Sequence, residues 1–194
     1  MSPWQAFARS VIRNGRYGAL SVALMLAGNP AVAADSPIKS IDVAFDGEAY
    51  VVNAVFVTSA PQSTAWDVLT DFDNLAKWVP GVTESKAMKR DENTVIVEQK
   101  GVARYGALSF PYTTERKIEL KRPTNIKTAQ IKGNMRRVES TLLIEPDGKG
   151  TRIVYHLEIV PSLIAAAGMS KKFVEHEVSD QFTAIVGEMT RRAP

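Results

Sequence analysis

One stretch of the sequence, residues 60–82 (APQSTAWDVLTDFDNLAKWVPGV), limits the fold of this chain more than any other. Pro61 fixes φ near its helical value, so a helix is expected to begin at this point. Apolar residues then recur at intervals of three and give the helix one apolar face: Trp66, Leu69 and Phe72. A polar break at residues 73–74 precedes a second short turn, which Pro80 ends. The stretch therefore predicts two short helices that form a wedge against a curved sheet.

The same stretch carries a motif with fixed spacing, A-P-x-x-x-x-W-x-x-x-x-D-F-x-x-x-x-x-W-x-P-G-V. Its members are Ala60, Pro61, Trp66, Asp71, Phe72, Trp78, Pro80, Gly81 and Val82. The motif resembles that of the START-like (SRPBCC) superfamily, in particular its polyketide cyclase/dehydrase and coenzyme Q-binding (Coq10-like) branch. The resemblance covers residues 48–191 in element order. It implies an α+β helix-grip fold, in which a curved antiparallel sheet wraps around a long C-terminal helix and two short helices follow the first strand.

The remainder of the chain alternates in the manner of antiparallel strands. One strand, at residues 110–120, has six residues of inward parity: Phe110, Tyr112, Thr114, Arg116, Ile118 and Leu120. The other parity is mostly charged and is expected to face solvent. About seven such strands are expected before Pro161 ends the sheet. Ser170 then caps a helix that runs to about Arg191 and buries one stripe: Val174, Val178, Phe182, Ile185 and Met189.

The first 34 residues are a different kind of sequence from the remainder. They contain three arginines and no acidic residue, followed by an apolar run at 19–27 and small residues up to Ala34. This order is typical of a secretory signal peptide with cleavage after Ala33 or Ala34. The apolar run is shorter than the roughly 20 residues that span a bilayer. We expect a signal peptide at 1–34, a single START-like domain at 35–194 and a periplasmic location, with a mitochondrial presequence as the less favoured alternative.

The charge balance argues against a nucleic-acid partner. The leader holds 3 of the 24 basic residues and none of the 21 acidic ones, which leaves 21 of each in the remainder. No cysteine is present, and the two histidines, His156 and His176, are expected at solvated positions. These features exclude a Cys–His nucleophile and give poor support to a metal site, and no cofactor is expected. Asp71 and Asp73 are interpreted as capping or turn residues rather than as paired acids.

The inward-facing residues predict a concave apolar interior, which suits a hydrophobic small molecule or a lipid. The candidate ligand-binding residues are Trp66, Phe72, Trp78, Phe110, Tyr112, Arg116, Tyr155 and Phe182. Each aromatic residue in this set also fits an ordinary core. Arg116 is the charged member, and we expect it to anchor a ligand carbonyl, carboxylate or phosphate, with Tyr112 and Tyr155 as neutral donors. The alternative is an internal ion pair with Glu98 or another acid.

The connection at residues 103–108 is apolar for a segment that should face water. Together with the apolar residues near 162–168, it is interpreted as a lid or an entrance that touches a membrane or a partner. The candidate lid or entrance residues are Tyr105, Leu108, Met135, Leu163 and Ile164. A transient membrane contact is expected there.

Three functions fit this reading of the sequence. The leading one is an exported protein that binds or carries a hydrophobic ligand, such as a lipid or a quinone. The second is an enzyme similar to the aromatase/cyclases that acts on a polyketide-like substrate, although no catalytic constellation is visible. The third is a protein-interaction factor whose cavity is filled by its own side chains. The first two require an open cavity and the third does not.

Overall fold

The computed structural model of the chain describes residues 36–194, so the predicted signal peptide lies outside the described residues. The strands are β1 (Ile38–Phe45), β2 (Tyr50–Thr58), β3 (Val82–Arg90), β4 (Thr94–Tyr105), β5 (Leu108–Lys121), β6 (Asn125–Gly133), β7 (Arg137–Asp147) and β8 (Gly150–Val160). The helices are α1 (Gln62–Leu69), a 3₁₀ helix (Phe72–Lys77), α2 (Leu163–Ala166) and α3 (Lys171–Arg192). No helix in this part of the chain is long and apolar enough to cross a membrane.

The strands form one curved antiparallel sheet in the order β1-β2-β8-β7-β6-β5-β4-β3, with β1 and β3 at its edges. The predicted helix-grip architecture is confirmed, but the structure has eight strands rather than about seven. The additional strand is β1, which a turn with Gly47 at φ 101° joins to β2. Only Ile38, Ile41 and Val43 of β1 are partly buried, so its sequence carries a weak pattern. The wedge helices consequently follow the second strand, and the prediction that they follow the first was wrong.

Two irregularities in the sheet lie on one side of the strand that carries Arg116. The register between β5 and β6 shifts at Glu115/Arg116, where Arg116 pairs with Gln130 and Glu115 pairs with Lys132. This shift is a β-bulge, and bulges re-aim side chains near functional sites. The ladder between β6 and β7 is short, since it runs only from Asn125↔Leu143 to Ala129↔Glu139. Beyond it the two strands separate.

Helix α3 lies against the concave face of the sheet. The Ser170 hydroxyl accepts a hydrogen bond from the Phe173 amide at 3.2 Å, as the predicted cap requires. The buried face of the helix contains Phe173, Val174, Val178, Phe182, Val186 and Met189, while Ile185 is partly buried. The Phe182 ring stacks on Phe56 of β2 with ring centroids 4.0 Å apart. The central part of the helix is therefore held by apolar packing.

The wedge packs between the sheet and the C-terminal end of α3. Trp66 and Leu69 of α1 and Phe72 of the 3₁₀ helix are buried in the core. The connection to β3 turns at Gly81, whose φ of 78° is a conformation that glycine adopts readily. Arg192 at the end of α3 pairs with Asp71 at 2.8 Å, which ties the wedge to the long helix.

Candidate functional site

A cavity of about 290 Å³ lies between the concave face of the sheet and α3. This volume is near the lower limit of ordinary ligand pockets, roughly 300 Å³. Seven of the predicted ligand-binding residues line it: Phe72, Trp78, Phe110, Tyr112, Arg116, Tyr155 and Phe182. Trp66 does not, because its side chain packs in the core on the buried face of α1. The walls are mainly aromatic and aliphatic, so the cavity suits a mostly apolar ligand.

Arg116 points into this cavity from β5, as the strand alternation predicts. Its Nη2 donates to the Gln99 side-chain oxygen, and Gln99 is itself buried. The expected alternative, an ion pair with Glu98 or another acid, is not present among residues 36–194; Glu98 is exposed, on the opposite parity of β4. Burial lowers the pKa of the Arg116 guanidinium, although the nearby Tyr155 and Tyr112 hydroxyls oppose this shift. The group nevertheless stays protonated, since an arginine pKa is far above neutral pH.

Two buried side-chain nitrogens in the described part of the structure have no hydrogen-bond partner, and both belong to cavity-lining residues. They are Nε of Arg116 and Nε1 of Trp78. Buried donors are nearly always satisfied, and an unsatisfied one costs about 1–3 kcal/mol. A ligand oxygen placed against Arg116 would remove part of this cost.

Two tyrosines complete the polar surroundings of Arg116. Burial raises the pKa of Tyr155 to about 12, against the effects of Arg116 and a hydrogen bond with Ser140. Burial also raises the pKa of Tyr112. Both phenols are therefore neutral hydrogen-bonding groups at physiological pH. The ring of Tyr112 lies over Gly101, where a Cβ would be 2.5 Å from the Tyr112 hydroxyl oxygen, so this arrangement requires glycine at 101.

The cavity also contains polar residues that the sequence analysis did not select: Gln99, Gln130, Asn134, Glu177 and Gln181. Glu177 lies outside the apolar stripe predicted for α3, yet it lines the cavity. Its carboxylate accepts a hydrogen bond from the Arg104 backbone amide at 2.8 Å, and burial raises its pKa. The signal that could have identified it is the spacing of Phe173, Glu177 and Gln181, which places three cavity-lining residues on one line along the helix.

One end of the cavity is bordered by the hairpin between β4 and β5 and by the α2–α3 connection. Phe110 and Tyr105 make edge-to-face contacts with Phe173, at centroid distances of 5.2 Å and 6.3 Å. Phe110 also covers Gly168, where a Cβ would be 2.5 Å from its ring. On the other side, the Tyr50 hydroxyl donates to the Met169 carbonyl at 2.8 Å.

The predicted lid or entrance residues have different positions at this end. Met135 lines the cavity, whereas the others do not: Tyr105, Leu108, Leu163 and Ile164. Leu108 lies beside a tight turn at Gly106, whose φ is 58°. Leu163 and Ile164 belong to α2 and are almost fully exposed. A lid role for these residues stays a prediction.

Both histidines lie outside the cavity lining. His156 is exposed and its Nδ1 lies 2.9 Å from the Asn53 side-chain oxygen. His176 is partly exposed and lies 3.3 Å from Asp180. Within residues 36–194, no group of three or more His, Cys, Asp or Glu side chains is arranged to hold a metal ion.

Comparison with known proteins agrees with this geometry. Residues 49–193 match the model of the family described as polyketide cyclase / dehydrase and lipid transport. The coenzyme Q-binding branch is not singled out, and no curated protein matches the chain.

Similar solved structures cover about three quarters of the chain. The Zhui aromatase/cyclase from Streptomyces has a TM-score of 0.63 at 16% identity, covering 74% of this chain and 95% of its own. A START superfamily protein from Mycobacterium smegmatis has a TM-score of 0.58 at 13% identity, covering 74% and 96%. A STAR-related lipid transfer protein from Xanthomonas axonopodis has a TM-score of 0.56 at 14% identity, covering 77% and 98%. At these identities the likeness shows a shared fold.

Proposed function

The chain belongs to the polyketide cyclase / dehydrase and lipid transport family, and we propose that it is an exported protein that binds or carries a hydrophobic, lipid- or quinone-like ligand. Families of this fold host more than one activity, so the proposal depends on the cavity itself. Its apolar walls favour a mostly hydrophobic ligand, and its volume of about 290 Å³ gives no support to a cavity filled by side chains.

The observation that carries the proposal is a guanidinium inside an apolar cavity without a carboxylate partner in the described structure. Arg116 has one side-chain hydrogen bond, to Gln99, and its buried Nε has none. Guanidinium groups form strong, charge-assisted bonds to oxygen. We therefore assign Arg116 as the polar anchor for a ligand carbonyl, carboxylate or phosphate, with Tyr155 and Tyr112 as neighbouring donors.

Export is the part of the proposal that depends on the sequence alone. The arginine-containing leader, its short apolar run and the small residues before Asp35 support a signal peptide cleaved after Ala33 or Ala34. The intact mass of the protein, purified from a cell that produces the full-length chain, tests it. A mass that begins at Ala34 or Asp35 is expected, and an unprocessed mass would contradict export by this route.

Mass spectrometry of the purified protein, folded and again after organic extraction, tests the carrier function. A stoichiometric lipid or quinone in the folded sample is the expected result, and it would identify the ligand class. A ligand-free mass, together with tryptophan fluorescence that no hydrophobic compound changes, would contradict the proposal. Trp78 is the informative reporter because it lines the cavity.

Substitution of the anchor separates binding from stability. Because the Arg116 guanidinium has no carboxylate partner in the described structure and its Nε is buried, Arg116→Met should leave the free energy of unfolding equal or higher. The same variant should bind the ligand identified in wild type about tenfold more weakly, since a charge-assisted bond worth roughly 1.5 kcal/mol or more is lost. Gln99→Leu is the control, because it removes the hydrogen-bond partner of Arg116 and keeps the guanidinium. If wild type and Arg116→Met retain the ligand equally, Arg116 is not the polar anchor.

An aromatase/cyclase-type enzyme is the second candidate, and one observation favours it. Glu177 lines the same cavity as Arg116, and burial raises its pKa, which is the direction that suits a general acid. If the protein is such an enzyme, Glu177→Gln should bind a polyketide-like substrate and fail to convert it. Conversion at the wild-type rate would leave the carrier function as the better account.

A further inference from the structure

The most exposed apolar residues of the described structure are at the tip of α2. Leu163 is 90% exposed and Ile164 is 86% exposed, whereas every other exposed large apolar residue lies between 41% and 54%. The tip is a short helical turn, in which the Ser162 hydroxyl accepts a hydrogen bond from the Ala165 amide and Ala165 itself is buried. Two adjacent large apolar side chains that are exposed to solvent indicate a site of interaction with another surface.

This tip adjoins the end of the cavity. Two residues that follow α2 reach the cavity. Gly168 packs under Phe110, which lines the cavity, and Met169 lines the cavity itself. The β6–β7 connection meets the same region, because the Asn134 side chain donates to the Pro111 carbonyl at 2.8 Å. We define the rim as residues 102–110, 133–137 and 161–172.

The rim differs in charge from the rest of the domain. It contains five basic residues and no acidic one: Arg104, Arg136, Arg137, Lys171 and Lys172. Arg136 pairs with Glu48 and Arg137 pairs with Glu158, whereas the side chains of the other three have no ion pair in the described structure. Glu177 faces the rim too, but its hydrogen bond is to the Arg104 backbone amide. Because residues 35–194 hold equal numbers of basic and acidic residues, this is a local concentration of positive charge.

We propose that the rim docks on the surface of an anionic lipid bilayer. Leu163 and Ile164 enter the boundary between headgroups and acyl chains, and Lys171 and Lys172 meet the lipid phosphates. This contact places the adjoining end of the cavity against the lipid phase. Its meaning for ligand exchange depends on the carrier function proposed above, whereas the docking itself depends only on exposure and charge.

The alternative to a bilayer is that the apolar tip of α2 binds a second copy of the chain. A symmetric dimer places the same surface of each subunit in contact. The lysines at 171 and 172 of both copies would then lie in one interface, and like charges at an interface oppose association. An anionic surface is complementary to the same residues, so the charge pattern favours the bilayer.

Vesicle flotation tests the proposal with protein purified after expression of the full-length chain. Vesicles of phosphatidylglycerol and phosphatidylcholine should carry the protein at low salt, and pure phosphatidylcholine vesicles should carry about tenfold less. Leu163→Asp combined with Ile164→Asp should reduce flotation by about tenfold or more, since two apolar side chains no longer enter the bilayer. Lys171→Gln combined with Lys172→Gln should also reduce it by about tenfold, and only on anionic vesicles.

Met88→Asp is the matched control, because Met88 is 54% exposed on the edge strand β3 and lies outside the rim. It should float like wild type, and all variants should keep the wild-type melting temperature because the changed residues are exposed. Three results would overturn the proposal: no flotation of wild type, equal loss in Met88→Asp, or a wild-type dimer in sedimentation that the α2 variants abolish. Flotation without a bound ligand, or a bound ligand without flotation, separates this proposal from the carrier function.

Discussion

The two ends of α3 are held to the domain by different forces. At the C-terminal end, Glu188 accepts hydrogen bonds from Arg191 and Arg192, and Arg192 also pairs with Asp71. Its guanidinium lies 5.9 Å from the centroid of the Trp78 ring. At the N-terminal end, the Glu177 carboxylate accepts from the Arg104 backbone amide and the Tyr50 hydroxyl donates to the Met169 carbonyl, while ring contacts supply the remainder. The two ends are therefore held differently: ion pairs act at the C-terminal end, and hydrogen bonds to backbone groups act with ring packing at the N-terminal end.

Loss of the ionic contacts at the C-terminal end should have the largest effect on stability. Arg192→Ala removes the link to Asp71 and leaves Glu188, only 8% exposed, with one partner. We expect the free energy of unfolding to fall by about 2 kcal/mol, measured by urea denaturation. Arg191→Ala is the control, since Arg191 is 69% exposed and exposed pairs contribute about 0–1 kcal/mol. Equal losses in both variants would show that the link to Asp71 contributes nothing.

The pH dependence of stability should distinguish the two ends, and Glu188 gives the larger effect. Hydrogen bonds from Arg191, with those from Arg192, lower the pKa of Glu188 to about 2 despite its burial. Its folded pKa is below the ordinary 4.5, so the carboxylate stabilises the fold above pH 4.5, and this contribution is lost as the pH falls towards 2. Glu188→Gln should be less stable than wild type at pH 7 and should lose less stability on acidification. Parallel pH profiles would contradict this assignment.

Glycine substitutions test how tightly the two ends of α3 are packed. Gly168→Ala places a Cβ 2.5 Å from the Phe110 ring, so the ring must move. We expect a loss of about 1 kcal/mol and faster hydrogen exchange at the Arg104 amide, which the displaced hairpin carries. Gly187→Ala is the control in α3, because a Cβ there meets no atom within 4 Å. It should stabilise the helix by about 0.5–1 kcal/mol, and a loss there would contradict the packing argument.

Glu177 should give the smallest effect, with the opposite sign to Glu188. Burial raises the pKa of Glu177, so ionisation weakens the folded state as the pH rises above the ordinary 4.5. Glu177→Gln keeps an oxygen that can accept from the Arg104 amide and carries no charge. It should therefore equal or slightly exceed wild type in stability at pH 7, and the difference should vanish below pH 4.5. Lower stability at pH 7 would show that the charge strengthens the bond to Arg104.

The parts of the fold that were predictable have strong local patterns. The wedge motif, the alternation in β5 and the apolar stripe of α3 each repeat with one period, and the structure has these elements in the expected order. Strand β1 was missed because it is an edge strand with half-buried residues and weak alternation. Local pattern thus identifies elements that bury a full face and fails for those that bury part of one.

The candidate site was predictable only in part. The inward direction of Arg116 follows from strand parity, but its partner Gln99 is on the neighbouring strand β4, and the alternation within β5 does not fix which residues of β4 lie beside it. Glu177 is one residue beside the buried stripe of α3, and the hairpin that reaches it is distant in sequence. Polar residues at the border of an apolar stripe therefore need the tertiary contact before they can be assigned.

The short ladder between β6 and β7 has a consequence for the length of a ligand. The strands separate after Ala129 and Glu139, and residues on both sides of the separation line the cavity, among them Gln130, Met135 and Val138. The enclosed volume limits the group that lies near Arg116, so a longer chain attached to that group would have to part β6 and β7 here, where the Gln130 side chain, donating to the Met135 carbonyl, joins them in place of a backbone ladder. Compounds that share a polar end and differ in tail length would compete on nearly equal terms, and selection would act on the end alone.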